Sequence, residues 1–256
     1  MNFDVDKDFA LLYGIMLGDG CLSLVKRKNR IAKSKFISIK GSLKDDIPFF
    51  ENIIAPILMK FRNKPTNIKI RKIDNSIEFN FTDIKLFDLI RSFGFPIGKK
   101  GDRLFIPKIF YDKHLVEYVI SGFFATDGSI VLTRNPNKYY PRLEAHVISK
   151  TLLREIYDYL IKLGMKGGFY LSKSKPDPRW LISQDKYRFQ FNGKKNLLFF
   201  HQEIGFANPK YEEKFYNFIN YSSEYDKKIK ELSSFNVKNI SKELNFKFFP
   251  MTPERF

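Results

Sequence analysis

Two aspartates, Asp19 and Asp127, each end a helix-like apolar run and directly precede a glycine. The runs read FALLYGIMLGDG at residues 9–20 and EYVISGFFATDG at residues 117–128, so the two acids stand 108 residues apart. A carboxylate at a helix C-terminus sits at the negative end of the helix dipole, and two such groups brought together repel. A cation in the gap relieves both penalties. A hard divalent ion with oxygen ligands would neutralise the acids, bind a phosphate, activate water and stabilise a leaving oxygen. One Asp-Gly pair alone is an ordinary turn. Two in register, in a strongly basic chain, point to chemistry.

The elements that must position these acids repeat once. Gly14 matches Gly122, Asp19 matches Asp127 and Gly20 matches Gly128. Past each motif come two strand-like stretches, 21–25 with 35–40 and 129–133 with 142–148, rich in β-branched and aromatic residues. Helices follow at 44–61, which Pro56 should kink or split, and at 151–164. Two more strands come next, 67–72 with 76–81 and 168–173 with 186–191, and final helices at 83–93 and 194–204 close each unit. SFGFPIGKK at 92–100 parallels EIGFANPKY at 203–211, pairing Gly94 with Gly205, Phe95 with Phe206 and Lys99 with Lys210. The expected fold is therefore α+β, two pseudo-symmetric αββαββα halves. Their expected boundaries are 1–104 and 105–221, with a helical or partly flexible extension at 222–256. VKNISKELNF at 237–246 has helical spacing, and a terminal helix pair or frayed tail is favoured over a helix-turn-helix module.

The first motif helix spaces Gly14 and Gly18 by four residues, on one face. The second carries Ser121, Gly122, Ala125 and Thr126. Each helical glycine costs about 1 kcal/mol relative to alanine, and close approach of two helix backbones is the compensating reason. If the two motif helices pack together, their ends bring Asp19 and Asp127 side by side, and Gly20 and Gly128 let each chain turn into its first strand.

The 256 residues carry 45 Lys and Arg against 28 Asp and Glu, a formal charge of +17. That charge favours nucleic acid as partner. An anionic membrane surface is the weaker alternative, because no strongly amphipathic basic helix stands out. The basic segments 26–33, 134–142 and 171–186 all fall between paired strands, as a shared basic face would require. Cys21 is the one cysteine, which excludes a disulfide framework and a cysteine zinc cluster. His114, His146 and His201 are scattered, so any metal must be held by oxygen. No apolar run reaches the length of a membrane span, and Met1–Asp8 shows no signal-peptide pattern. The expectation is an intracellular protein, cytoplasmic in a prokaryote or in an organellar matrix if organelle-encoded.

LYGIMLGDG at 12–20 and ISGFFATDG at 120–128 resemble the defining motif of the LAGLIDADG homing endonucleases, and the resemblance in motif and element order covers roughly residues 9–220. Two motifs in one chain resemble the monomeric kind, acting on a long asymmetric site. The resemblance implies motif helices at the interface of the halves, and antiparallel sheets that saddle double-stranded DNA and read its major groove. It implies metal-dependent double-strand cleavage leaving short 3′ overhangs, with magnesium as cofactor. Manganese would substitute, and calcium would support binding without cleavage. Metal would be held at Asp19 and Asp127, with the adjoining Gly18 and Thr126. Polar groups near the bound water would come from Lys40 and Ser149, and catalytic lysines from Lys99 and Lys210. Candidate DNA contacts are Lys26, Arg27, Lys35, Ser38, Lys40, Lys69, Arg71, Lys72, Glu78 and Asn80 in the first half. In the second they are Arg134, Arg142, Glu144, His146, Ser149, Lys173, Arg188, Gln190 and Asn192. Two-stranded ribbons fit the major groove, where all four base pairs differ. A maturase that binds intron RNA, and a DNA-binding regulator without cleavage, are the alternatives; both motif acids are kept, which favours a nuclease. An intein is disfavoured, since the flanking splicing residues are missing.

Overall fold

Helix α1 spans Lys7–Asp19, and Asp6 caps it by accepting the Phe9 backbone N–H at 2.9 Å. Helix α6 spans Val116–Asp127. Both are apolar nearly all round and buried over most of their length, the signature of central helices. In this computed structural model, which describes residues 4–26, 32–133, 140–173 and 185–232, they pack against each other more extensively than any other pair of elements. A β-carbon on Gly14 would lie 2.9 Å from the Phe123 nitrogen and closer still to the Val119 carbonyl oxygen. One on Gly122 would lie 2.9 Å from the Ile15 nitrogen and press on the Leu11 carbonyl oxygen. Leu11 and Ile15 are the 108-residue counterparts of Val119 and Phe123, so the contact is reciprocal, as across a two-fold axis. The contacting residues advance together along both helices, which therefore run parallel and end side by side.

Each helix feeds straight into a strand. β1 is Gly20–Val25 and β5 is Gly128–Thr133. Gly20 and Gly128 have extended backbones, with φ of −81° and −82°. The glycines are therefore needed for space and not for a left-handed turn: a β-carbon would lie 2.5 Å from Met16 Sδ in one half and 2.5 Å from Phe124 Cδ2 in the other.

The first sheet adds β2 (Ser34–Ser42), β3 (Lys69–Arg71) and β4 (Ser76–Thr82), in the order β1-β2-β4-β3, all antiparallel. The second adds β6 (Tyr140–Val147), β7 (Gly167–Ser172) and β8 (Lys186–Asn192), in the matching order β5-β6-β8-β7. Residues alternate between faces. Ile37, Ile39, Ile77 and Phe79 of the first sheet, and Leu143, Ala145, Phe189 and Phe191 of the second, are buried. Helices close over these faces: α2 (Ile47–Phe49), α3 (Ala55–Arg62) and α4 (Ile84–Ser92) in the first half, α7 (Lys150–Lys162) and α8 (Lys194–Glu203) in the second. Phe50 stacks on Phe79, ring centroids 5.2 Å apart. Between α2 and α3 the helix widens into a π turn at Phe50–Ile54, where the Ala55 N–H bonds the Phe50 carbonyl. Pro56 has no N–H for the next helical bond, so the break comes at the expected place.

Gly94 and Gly205 end α4 and α8 with φ of 87° and 77°, the left-handed stop that glycine adopts freely. The short helix α5 (Lys108–Asp112) links the halves, an element not expected from the sequence. Residues Met1–Glu213 group as one compact unit and Lys214–Phe256 as another. Helix α9 runs Pro209–Leu232 without a break at residues 221–222, and the expected helix at 237–246 lies outside the described residues. No helix among the described residues is long and apolar enough to cross a membrane.

Candidate active site between the motif helices

The two motif acids meet because the small residues let their helices meet. Near the helix ends, a β-carbon on Gly18 would collide with the Thr126 side chain and lie 3.4 Å from Asp127 Oδ2. Asp19 stays open to solvent on one side, but crowding by surrounding atoms and, next, the Asp127 charge push its carboxyl up to about 7. Asp127 is pushed up as well, by burial first, against the pull of Lys100 and Lys186. Two carboxylates that resist ionisation at helix C-termini suit a hard divalent cation, which restores the charge balance. Among the described residues no group of three or more His, Cys, Asp or Glu side chains forms a metal-binding set. A cation here would take two carboxylates from the protein and its other oxygens from substrate and water.

The lysine beside these acids is Lys100, not the expected Lys99. Lys100 Nζ donates to the Leu17 carbonyl at 3.0 Å and to the Gly18 carbonyl, capping the end of α1. Burial pulls its pKa down, opposed by Asp127 and Asp19. Lys99 is exposed, and its carbonyl accepts from Arg103. The alignment of the post-helix loops is right, but the loop aims its next side chain inward. At the matching position of the second half stands Tyr211, whose hydroxyl donates to the Gly128 carbonyl. Lys210 bears on Asp19 electrostatically, while its Nζ is held 2.8 Å from Asp46 Oδ1. The oxygens expected at Gly18 and Thr126 are both engaged: Lys100 donates to the Gly18 carbonyl, and the Thr126 hydroxyl donates to the Phe123 carbonyl at 2.9 Å.

Lys100, Asp46, Asn208 and Lys186 were not foreseen. Asp46 carried a local signal, since an acidic residue before Ile47-Pro48 marks a helix start. The others carried none, because their approach to the acids depends on loop paths.

The faces of the sheets turned away from the helices carry most of the expected contact residues. Ser38 pairs with Asn80 and Lys40 with Glu78 across β2 and β4, and Lys69 lies beside Glu78. Lys40 reaches Asp74 at 3.0 Å, and Arg71 lies 4.0 Å from Glu78. In the second sheet Arg142 pairs with Asn192, Glu144 with Gln190 and His146 with Arg188. Glu144 accepts from Gln190 at 3.2 Å and lies 3.7 Å from Arg142 and 3.6 Å from His146. Burial lowers the His146 pKa despite Glu144. Lys26 and Lys173 are exposed at strand ends, and Lys72 is exposed in the turn after β3.

Two expected contacts are displaced. Lys35 belongs to the helix-covered face: its Nζ is 2.5 Å from Asp88 of α4 and sits over the Phe87 ring. Alternation from the buried Ile37 and Ile39 puts it there. Ser149 is buried as the N-cap of α7, donating to the Asp102 and Leu104 carbonyls at 3.2 and 3.0 Å, so it faces neither solvent nor groove. Arg27 and Arg134 lie outside the described residues.

Residues 115–205 match the family described as LAGLIDADG-like domain. An uncharacterized protein of Methanocaldococcus jannaschii is 23% identical over 176 residues, 68% of this chain. The matched region spans 61% of that relative's length. Among solved structures, I-DmoI in complex with DNA and Ca has a TM-score of 0.53 at 21% identity, covering 77% of this chain and 88% of that one. The LAGLIDADG homing endonuclease I-GzeII with its DNA target has a TM-score of 0.53 at 13% identity, covering 93% and 95%. Residues 115–205 are thus similar to the LAGLIDADG-like domain, and the two four-stranded sheets with their paired central helices share the fold of the solved LAGLIDADG homing endonucleases.

Proposed function

We propose that the chain is a divalent-metal-dependent endonuclease that cuts both strands of a long, asymmetric DNA duplex. The observation that carries this reading is the pairing of Asp19 and Asp127 at the adjoining ends of two parallel helices, each acid held against ionisation. A metal-free site of this kind is electrostatically unfavourable, and a chain of charge +17 has a polyanion as its natural ligand. Magnesium is the proposed cofactor, and Asp19 and Asp127 would hold it. When bound, such an ion supplies Lewis-acid polarisation of a phosphate and a more acidic water. Lys100, beside both acids, is placed to stabilise negative charge developing on phosphate oxygens. The outward faces of the two sheets would lie in the major groove, with Lys40, Lys69, Arg142 and Arg188 among the contacts. The two halves differ in side chains at nearly every outward position, which suits an asymmetric site read by one chain.

The test begins with selection of duplexes from a randomised library in calcium, followed by incubation of selected DNA in magnesium. Double-strand cleavage that is lost in Asp19→Asn and Asp127→Asn, with binding in calcium retained, is the expected result. A selected duplex that stays intact in magnesium defeats the nuclease reading and leaves a DNA-binding regulator. Enrichment of structured RNA over duplex DNA would favour a maturase.

A further inference from the structure

One buried acid near the site remains without a role. Asp46 is 7% exposed and lies just before α2. Its Oδ2 accepts the Ser42 backbone N–H at 2.9 Å. Its Oδ1 accepts from Lys210 Nζ at 2.8 Å and from Asn208 Nδ2 at 3.0 Å, both in the other half of the repeat. Asn208 is buried in turn. It donates to the Ala125 carbonyl at 3.0 Å, two residues before Asp127, and accepts the Lys210 backbone N–H at 3.2 Å. A single carboxylate from the first half thus holds a lysine head near Asp19 and, through Asn208, the last turn of α6.

The matching place in the other direction is built differently. Ser149, the counterpart N-cap, accepts the Leu152 N–H and reaches the first half only at the Asp102 and Leu104 carbonyls, and Lys99, the counterpart of Lys210, is exposed. Both crossings tie the halves together, but only one of them fixes a charged side chain at the acids. A buried carboxylate with three donors holds its partners in one geometry, whereas an unpaired lysine samples many.

On the reading of the site as a nuclease, we propose that Asp46 is a positioning residue for one of the two strand cuts, acting through Lys210 and Asn208. The ion pair is made with Lys210 directly, whereas the tie to α6 runs through the neutral amide of Asn208, so removing the charge of Asp46 frees the Lys210 head while an acceptor can still hold Asn208 on the Ala125 carbonyl.

The experiment uses the full chain and its selected duplex, with each strand labelled separately. Asp46→Asn keeps an acceptor for Asn208 and loses the ion pair. It should slow one strand about tenfold or more and the other much less, so that nicked duplex accumulates. Lys210→Met should slow the same strand, and the double variant should be no slower than Lys210→Met alone. Asp46→Glu should recover part of the lost rate. Equal slowing of both strands in step with a lowered melting temperature would reduce Asp46 to a packing role, and unchanged rates on both strands would remove the clasp from the reaction. Failure of the wild-type chain to cut any selected duplex is a separate result, which defeats the nuclease reading and this role with it.

Discussion

Replacing Gly14 by alanine tests the geometry from which the site is built. The new methyl would stand 2.9 Å from the Phe123 nitrogen and closer to the Val119 carbonyl oxygen, where ordinary contact begins at 3.4 Å. The obstacles are backbone atoms of α6, so no side chain can rotate away. The helices must part by at least about 0.5 Å, and by on the order of 1 Å to clear the carbonyl. Overpacking of this kind costs about 1–3 kcal/mol, and alanine's better helix propensity returns about 1 kcal/mol. The net loss of stability is thus modest, about 0–2 kcal/mol. The larger effect falls on the acids. A misplacement of about 1 Å at a reacting centre can cost about 100-fold in rate. Gly14→Ala should therefore melt within several degrees of the parent and bind its duplex in calcium, yet cleave about 100-fold more slowly. Gly122→Ala, which meets the counterpart backbone atoms, should match it. Denaturant melts, calcium-supported binding and single-turnover cleavage measure the three quantities. A Gly14→Ala chain that cleaves at the parental rate would refute the claim that tight helix approach sets the spacing of Asp19 and Asp127.

Three further outcomes follow from the charges. The Asp19 carboxyl is raised from its ordinary 3.8 to about 7, so its ionisation opposes folding: the stabilising, protonated form is fully present below about pH 4 and is lost as pH rises through about 7. The full shift would be worth at most ~4 kcal/mol, and solvent on the open side of Asp19 screens it to ~1–2 kcal/mol; melts in chelator from pH 4 to 8 should show this decline, flattened in Asp19→Asn and offset by added divalent metal, and a pH-independent difference between the two chains would contradict it. Lys100→Met should lower cleavage about 100-fold or more and move the acid limb of the rate profile to higher pH, because both acids lose a positive neighbour, whereas Lys99→Met should stay within about twofold of the parent. Lys35→Met should leave the salt dependence of duplex binding unchanged, since Lys35 is committed to Asp88, while a neutral substitution at a lysine that meets phosphate lowers the slope by about one.

Much of the arrangement is legible in the sequence. The apolar helices, the alternating strands and the glycine stops at Gly94 and Gly205 rest on local rules of period and backbone freedom, and both halves obey them. Gly14, Gly18 and Gly122 announced a close helix contact because glycine in a helix interior needs a compensating reason. Lys35 shows the limit of charge as a guide: its sign suits DNA, but strand parity with Ile37 and Ile39 places it under α4. Ser149 shows another limit, since a serine before a helix caps as readily as it binds, and here it caps.

The chain alone determines that two acids, 108 residues apart, end two helices of the same kind, since repeat, periodicity and small-residue spacing are properties of the chain itself. Which groups surround those acids is a tertiary result. The turn between Lys99 and Lys100 decides which lysine points inward, and no spacing rule settles a one-residue choice in a loop. Asp46 reaches Lys210 and Asn208 across more than 160 residues of chain, so only the packing of one half on the other brings them together. The acids resist ionisation for the same reason: the two helices and the loops folded over their ends crowd water away from groups that, in the extended chain, it would solvate freely.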